Sequence, residues 1–376
     1  MPDTEGHTMD TRGLLITGAG GFLGRFILDR YLRDYPDYTL YLLEHGRFLQ
    51  KLKDHLAEAC PGAEDTGRIR VFEGDITRPG LGLDAGMRDT LREHAVAAIH
   101  LAALYHLAAP RDVLMRINVE GTRHMLDFCQ ELPRLDRFAH ISTLAVAGTH
   151  TGVFDETDFD VGQSFKNYYE ETKFLSEKLV RERMPDFPAS IFRPAVVVGH
   201  SKTGYIDKVD GPYYLLVAIS RHLQFIMPDC GLVKNNIAPV DFVTDGLVDL
   251  FEKGENMRGA TIALLDPNPM TYNDFLDLAC QCWPRSKPLV RVPFTWFRAV
   301  AQWSLFETVT GIPWRAFQYG NQEIAYTLPE STRRLASVGI QCPALPDYLH
   351  TLVQFFKDHL QDKTIRRGSW QAMLHQ

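Results

Sequence analysis

Tyr169 and Lys173 stand four residues apart in a stretch of helical period that begins YYEETKFLSEK. On a helix this spacing brings both side chains to one face, with Cβ atoms about 5–6 Å apart. A phenol with a pKa near 10 is a poor base at neutral pH, and a neighbouring ammonium favours its ionised form by direct attraction. Such a phenol can give a proton to a carbonyl oxygen as hydride reaches the carbon, or remove it in the reverse direction. Tyr168 competes for the role, but Glu171 and Thr172 stand three and four positions beyond it, so Tyr169 is the phenol chosen. By itself a surface Tyr/Lys pair is the commoner arrangement, and only companion motifs reverse that expectation.

The second chemical signal is TGAGGFLG, Thr17 to Gly24, which follows an apolar run and opens an amphipathic segment. Gly18 permits a turn that a Cβ would forbid, Gly21 lets the backbone approach a pyrophosphate, and Gly24 lets helix and strand pack closely. The helix start then presents free amides and a partial positive charge to phosphates. Glu44 ends the next apolar run, 20 residues after Gly24. A carboxylate there can accept hydrogen bonds from ribose hydroxyls, whereas a 2′-phosphate would face like charge. The expectation is NAD(H) in preference to NADP(H), with Arg47 as the residue that could turn inward and bind the phosphate instead.

These groups need a scaffold, and short apolar runs alternate with helical segments throughout the first half. Expected strands are Leu14–Thr17, Thr39–Glu44, Arg68–Glu73, Ala95–Ala102, Arg137–Thr143, Ser190–Val198 and Ala260–Leu265. Their near-continuous apolar character suits buried parallel strands. Phe22–Tyr35, Asp112–Glu131 and Tyr169–Met184 read as helices. The expected fold class is α/β, a Rossmann-type doubly wound parallel sheet with a smaller C-terminal substrate domain. We place the dinucleotide-binding domain at residues 1–200, with 236–266 able to pack back on it, and the substrate domain at 201–376.

Composition narrows the function. Among 376 residues, 45% are hydrophobic and 23% charged, ordinary values for a globular chain with a sizeable core. A net charge of −7 lacks the basic excess that nonspecific nucleic-acid binding requires. The six cysteines form no CxxC pair and no regular spacing with histidine, so neither a metal site nor a disulfide framework is expected. The first twelve residues carry no apolar run ahead of a cleavage site, and Val292–Trp314 is interrupted by Arg298, Gln302 and Glu307. The chain reads as cytoplasmic.

TGAGGFLG, with GxxGxxG spacing, resembles the turn of the extended short-chain dehydrogenase/reductases. The resemblance continues in order through GDI at 74–76, HLAA at 100–103, NVEGT at 118–122, HISTLAVAG at 140–148, YEETK at 169–173 and RPAVVVG at 193–199. It implies that Lys173 also holds the nicotinamide ribose. It further implies a catalytic hydroxyl five residues before Gly148, which is Thr143. Ser142 is its competitor, but alternation along a strand sends the two neighbouring side chains to opposite faces. Asn118 is implied to support a water or backbone contact behind the site. Implied cofactor contacts are Gly18, Gly21, Phe22, Leu23 and Gly24 in the turn, then Glu44, Asp75 and Ile76 after the second and third strands. Leu101, Ala102 and Ala103 stand at the end of the fourth strand, and Tyr169, Lys173, Pro194 and Val196 complete the set. His100 reads as a buried structural histidine.

Within that superfamily, GDITRPGLGL at 74–83, HLAALYHL, NNIAPVDFVTDGL at 235–247 and LLDPNP at 264–269 resemble the male-sterility type fatty acyl reductases and the terminal domains of carboxylic acid reductases. That branch implies reduction of an acyl thioester, or the derived aldehyde, with the thioester carried on CoA or an acyl carrier protein. Glu44 departs from the branch, whose members commonly place arginine near this point and use NADP(H). The apolar runs 212–219, 223–228 and 292–309 suit an apolar ligand, although core packing accounts for any single aromatic in them. A weak membrane-surface contact by 292–314 and a homodimer are further allowed readings. The competitors are a dehydrogenase or isomerase of a hydroxylated lipid or sterol, and a nucleotide-sugar epimerase or dehydratase. A cofactor sensor without chemistry is disfavoured because Thr143, Tyr169 and Lys173 are all present.

Overall fold

The computed structural model describes residues 12–59, 61–62, 67–107, 109–208, 210–223, 225–283, 290–310, 312, 314–317, 319–360 and 362. Residues 1–11, on which the reading about a leader rests, and Cys60 lie outside the described residues. The first half contains strands β1 (Arg12–Thr17), β2 (Tyr38–Glu44), β3 (Ile69–Glu73), β4 (Ala95–His100) and β5 (Arg137–Ile141). Helices α1 (Phe22–Asp34), α2 (Gly46–Ala59), α3 (Ala85–His94), α4 (Arg111–Leu114) and α5 (Gly121–Gln130) join them. Then come β6 (Gly152–Asp155), α6 (Tyr168–Arg183), β7 (Ala189–Pro194) and β8 (Val196–Val198).

The later chain adds α7 (Tyr213–Ser220), β9 (Ile226–Asp229), β10 (Ile237–Pro239), α8 (Val240–Lys253), β11 (Thr261–Leu264) and α9 (Tyr272–Gln281). It ends with β12 (Val290–Pro293), α10 (Phe294–Ala301), α11 (Ser304–Thr310), β13 (Ile324–Thr327), α12 (Pro329–Ser337) and α13 (Leu345–Asp358).

Seven strands form one sheet in the order β3-β2-β1-β4-β5-β7-β11, and every adjacent pair is parallel. The strand order reverses between β1 and β4, so their carboxyl ends open the crevice in which such sheets bind ligands. Alternation divides the core. Leu14, Ile16, Leu40 and Leu42 meet Ile27, Leu28 and Tyr31 of α1 and Val243 and Leu247 of α8 on one face. Leu15, Tyr41, Leu43 and Phe72 meet Leu91 of α3 and Met125, Leu126 and Phe128 of α5 on the other.

Two expected elements are corrected. The run Ser190–Val198 is not one strand: β7 stays in the main sheet, while β8 pairs with β10 in a separate ribbon. Pro194 has no amide with which to continue the ladder, so the chain changes partners there. The expected helix 112–131 contains a π-helical turn at Met115–Glu120, which carries Asn118 inward. Tyr213, Leu216, Phe275 and α13 residues such as Leu349 and Leu352 form a separate apolar cluster.

Candidate active site

Gly18 has φ +76°, and a Cβ on it would lie 2.8 Å from the Ala102 amide nitrogen. The turn after β1 therefore runs against the end of β4, as only glycine permits. A Cβ on Gly24 would sit 2.3 Å from the Gly18 carbonyl oxygen, so the close start of α1 also requires glycine. The Gly21 amide donates to the Gly18 carbonyl at 3.1 Å, and no side chain caps α1. The first-turn amides of Phe22 and Leu23 are thus left for an anion. The Phe22 ring packs edge-on to Phe26, with centroids 5.4 Å apart, and lies near Tyr205.

Glu44 is buried and its carboxylate accepts from the Gly20 amide at 2.9 Å and the His45 amide at 3.2 Å. Burial raises its pKa, while both amides and the nearby charges of His45 and Lys51 oppose that. The carboxylate therefore sits against the phosphate turn itself. Asp75 accepts from the Thr77 amide and hydroxyl, and buried Ile76 gives its carbonyl to His124. Leu101 donates its amide to the Thr17 carbonyl, and Ala102 donates to the Thr17 hydroxyl oxygen at 3.3 Å. His100 joins Thr17, at 2.8 Å, to Thr122, at 3.2 Å, and burial, reinforced by the Lys173 charge, pushes its pKa down to about 3. It is a neutral structural link. Ala103 is exposed, Pro194 is buried at the end of β7, and Val196 is exposed at the start of β8. The glycine turn, the uncapped amides and the carboxylate beside them fit a dinucleotide.

Helix α6 starts on Asn167, whose side chain accepts from the Glu170 amide at 3.0 Å, while the Glu170 carboxylate accepts from the Lys166 amide at 2.8 Å. This reciprocal cap fixes the first turn, which contains Tyr169. One turn later the buried Lys173 ammonium donates to the Ile141 carbonyl at 2.7 Å, pinning α6 to the end of β5. Ser142 and Thr143 diverge beyond that point. The Ser142 hydroxyl bonds buried Glu177 at 2.5 Å, and Glu177 also holds Arg193 at 2.7 Å and Arg181 at 2.8 Å. The Thr143 hydroxyl instead lies close enough to the Tyr169 phenol to oppose the rise in its pKa, and it accepts from the Ala145 amide. Tyr169 is partly buried, whereas Tyr168 is half exposed.

Buried Asn118 accepts from the Leu104 amide at 2.7 Å and donates to the Leu104 carbonyl and to Thr172 of α6 at 3.1 Å. It ties the segment after β4 to the helix carrying Tyr169.

The electrostatics correct one expectation. The Tyr169 pKa is raised, first by burial and further by Glu170 and Asp210, with the nearby Thr143 hydroxyl opposing. Desolvation outweighs any attraction from Lys173, whose ammonium is directed to a backbone carbonyl, so the phenol stays protonated. Burial also lowers the Lys173 pKa to about 8 against the opposing charge of Glu177.

Several neighbours of the triad were missed in the sequence. Tyr105 packs edge-on to Tyr169 with ring centroids 4.9 Å apart, and Lys208 lies over Tyr105 at 4.6 Å. Tyr319 donates to the buried Glu170 carboxylate at 2.7 Å and accepts from Asn167 at 3.3 Å. Lys166 lies over the Tyr319 ring at 4.3 Å and donates to Gln322. Tyr105 was visible inside HLAALYHL, but Tyr319 sits 149 positions from Glu170 with no local signal. Beside this group opens a cleft of about 580 Å³ lined by Leu107, Ser164, Phe165, Lys166, Asn167, Tyr168 and Glu171.

Among the described residues no cluster of His, Cys, Asp or Glu could hold a metal, and no helix is long and apolar enough to cross a membrane. The aromatics of 294–317 pack largely on one another, as with Phe297 against Phe306 and Phe317.

The seven-stranded parallel sheet and the glycine turn are those of an extended short-chain dehydrogenase/reductase fold with a nicotinamide-cofactor site. Residues 16–247 match the male sterility protein family of NAD-binding domains, and the chain belongs to that family. It is 26% identical over 278 residues to the fatty acyl-CoA reductase wat of Drosophila melanogaster, covering 63% of this chain and 53% of that protein. The chain thus spans about half the length of the curated reductases it matches. Its fold is similar to that of the terminal R domain from the myxalamid PKS-NRPS biosynthetic pathway, with a TM-score of 0.81 at 24% identity over 94% of this chain and 92% of that one. A thiolation-reductase di-domain from an archaeal non-ribosomal peptide synthetase gives a TM-score of 0.75 at 21% identity, covering 93% and 76% of the two chains.

Proposed function

We propose that the chain reduces a lipid-like acyl thioester, or the aldehyde derived from it, using a nicotinamide cofactor. Family membership supports the reaction class, and the observation that carries the mechanism is the placement of the buried Tyr169 phenol beside the Thr143 hydroxyl, where burial favours the protonated form. A bound nicotinamide supplies the hydride. Tyr169 donates its proton to the substrate oxygen as negative charge develops there, and the Thr143 hydroxyl orients phenol and oxygen together. Lys173 holds α6, and with it Tyr169, against β5 through the Ile141 carbonyl. A protonated phenol is the correct starting form for reduction, whereas oxidation would require a phenolate that burial disfavours. Thioester, reduced cofactor and one proton then yield aldehyde, thiol and oxidised cofactor.

The finer assignments are part of the same proposal. NAD(H) is preferred because the Glu44 carboxylate lies against the phosphate turn, where a 2′-phosphate would meet its charge. The cleft beside Lys166 and Asn167, with its mixed polar and apolar lining, suits the amide-bearing arm of CoA or of a carrier protein. The test is oxidation of NADH and NADPH against medium- and long-chain acyl-CoAs, the matching aldehydes, ketosteroids and nucleotide sugars. Turnover of acyl-CoA or aldehyde supports the proposal; turnover confined to a sterol or a nucleotide sugar overturns it.

A further inference from the structure

An ion pair lies wholly inside the protein beside the residues of the proposed triad. Glu177 of α6 has 0% of its surface exposed and Arg193 of β7 has 1%. The guanidinium donates to both carboxylate oxygens, from Nη2 at 2.7 Å and from Nε at 3.1 and 3.2 Å. Its Nη1 donates to the carbonyls of Glu156 and Asp158, which follow β6. The Ser142 hydroxyl after β5, at 2.5 Å, and Arg181 of α6, at 2.8 Å, complete the partners of the carboxylate. A buried ion pair is weak support for stability, because apolar residues of similar volume often serve as well without the desolvation. Its location carries more meaning. Arg193 stands just before Pro194, where the chain leaves the main sheet, so the pair ties α6 to the ends of both β5 and β7.

Two members of the proposed triad sit on those ties. Ser142 and Thr143 project to opposite sides of an extended backbone. The Ser142 amide bonds the Phe192 carbonyl at 2.7 Å and its hydroxyl bonds Glu177, which leaves Thr143 on the side of Tyr169. Glu177 also stands one helical turn beyond Lys173, and residues four apart on a helix share a face. Around the ammonium, His140 of β5 and His100 of β4 are kept neutral by burial, and Tyr169 of α6 keeps its proton. Burial opposes ionisation of Glu177, but Arg193, Arg181 and the Ser142 hydroxyl outweigh it and hold the pKa below the usual carboxylate value. The carboxylate is therefore charged, and its charge opposes the desolvation of Lys173.

We propose that Glu177, held by Arg193, is a positioning residue of the active site: through Ser142 it fixes the side of the chain that carries Thr143, and it sets a counter-charge against the Lys173 ammonium. The catalytic half of this inference rests on the proposed reduction; the counter-charge is read without substrate. NMR on the full chain, isotope-labelled at lysine Cε, follows the titration of Lys173, whose signal is assigned by its loss in Lys173→Met. The wild-type midpoint is expected at about 8. In Glu177→Gln it should fall by about one pH unit, an about tenfold loss of proton affinity. Should that variant fail to fold with Arg193 left unpaired, Glu177→Met with Arg193→Met removes both charges together and should show the same lower midpoint. Ser142→Ala keeps the ion pair, so the midpoint should stay in place while kcat with acyl-CoA falls about tenfold at nearly constant cofactor KM. A wild-type midpoint in a folded Glu177 variant overturns the proposal, as does wild-type kcat in Ser142→Ala. Absence of any acyl-CoA or aldehyde turnover by the wild type overturns the proposed function instead, and the titration still decides the role of Glu177 toward Lys173.

Discussion

The two ends of the site are built on different plans. At the cofactor end, Gly18, Gly21 and Gly24 lie in one strand-turn-helix unit, and Glu44 joins them from the adjacent strand through the Gly20 amide. At the proposed substrate end, Tyr105, Lys166, Glu170, Tyr319 and Gln322 arrive from segments as much as 217 positions apart. A local unit can be specified by backbone requirements, such as a positive φ at Gly18. The distant unit exists only once the later chain has packed on α6. In the proposed mechanism the first selects the cofactor, and the second fixes how the phenol is held and what reaches it.

Tyr169 stands where the two plans meet, and its loss should have the largest effect. Tyr169→Phe is expected to lower kcat by about 100-fold or more, the scale for removing a positioned general acid, while the cofactor Kd stays nearly constant. Tyr168→Phe, at a half-exposed position, should change kcat little. Equal losses in steady-state kinetics would erase the distinction between the two phenols.

The next effect is on pH dependence. Burial lowers the Lys173 pKa to about 8, so the ammonium is present below that value and lost above it. The kcat/KM of the free enzyme should be level at lower pH and then fall about tenfold per pH unit beyond about 8. The stability contribution has the opposite sign. Between about 8 and the unfolded value near 10.4, the unfolded chain binds the proton that the fold releases, so this lysine adds stability as pH rises. A thermal-midpoint series and a pH–rate series on the same protein separate the two trends, and Lys173→Ala should remove both.

Tyr319→Phe perturbs only the distant unit. It deprives the buried Glu170 carboxylate of a donor at 2.7 Å. The expected cost is about 1–3 kcal/mol in unfolding free energy. The fall in kcat should exceed any change in cofactor Kd; a larger change in Kd would dissolve the division between the two ends.

Glu44→Ala perturbs only the local unit and has the smallest expected effect. Like-charge repulsion of about 1 kcal/mol at about 4 Å in water-like surroundings corresponds to about fivefold in specificity. The wild type should favour NADH in kcat/KM, and the substitution should narrow that preference by about this factor. A wild type that favours NADPH, with no change in the variant, would show that Glu44 does not read the ribose.

What could be read in the sequence follows the same division. The glycine turn, the four-residue spacing of Tyr169 and Lys173, and the opposite directions of Ser142 and Thr143 are local properties, governed by turn angles, helical period and strand alternation. The seven-stranded sheet was legible for a related reason, since buried parallel strands leave apolar runs such as YTLYLLE in β2. The change of partners after Pro194 was overlooked because an apolar run continues across it, and only the missing amide marks the break. The direction of the Tyr169 pKa shift was not legible: spacing reveals Lys173 but not the burial that raises the pKa. Tyr319 and Gln322 carry no signal of their roles, which arise from contacts made across most of the chain.

The central claim is that this chain transfers hydride to an acyl carbon with Tyr169 as proton donor. Incubation with 4-deuterated NADH or NADPH and a long-chain acyl-CoA, followed by mass spectrometry of the products, tests it most directly. We predict deuterium at carbon 1 of the aldehyde or alcohol, release of free thiol, and loss of both signals in Tyr169→Phe. Undeuterated products, or labelled products formed equally by Tyr169→Phe, would contradict the account.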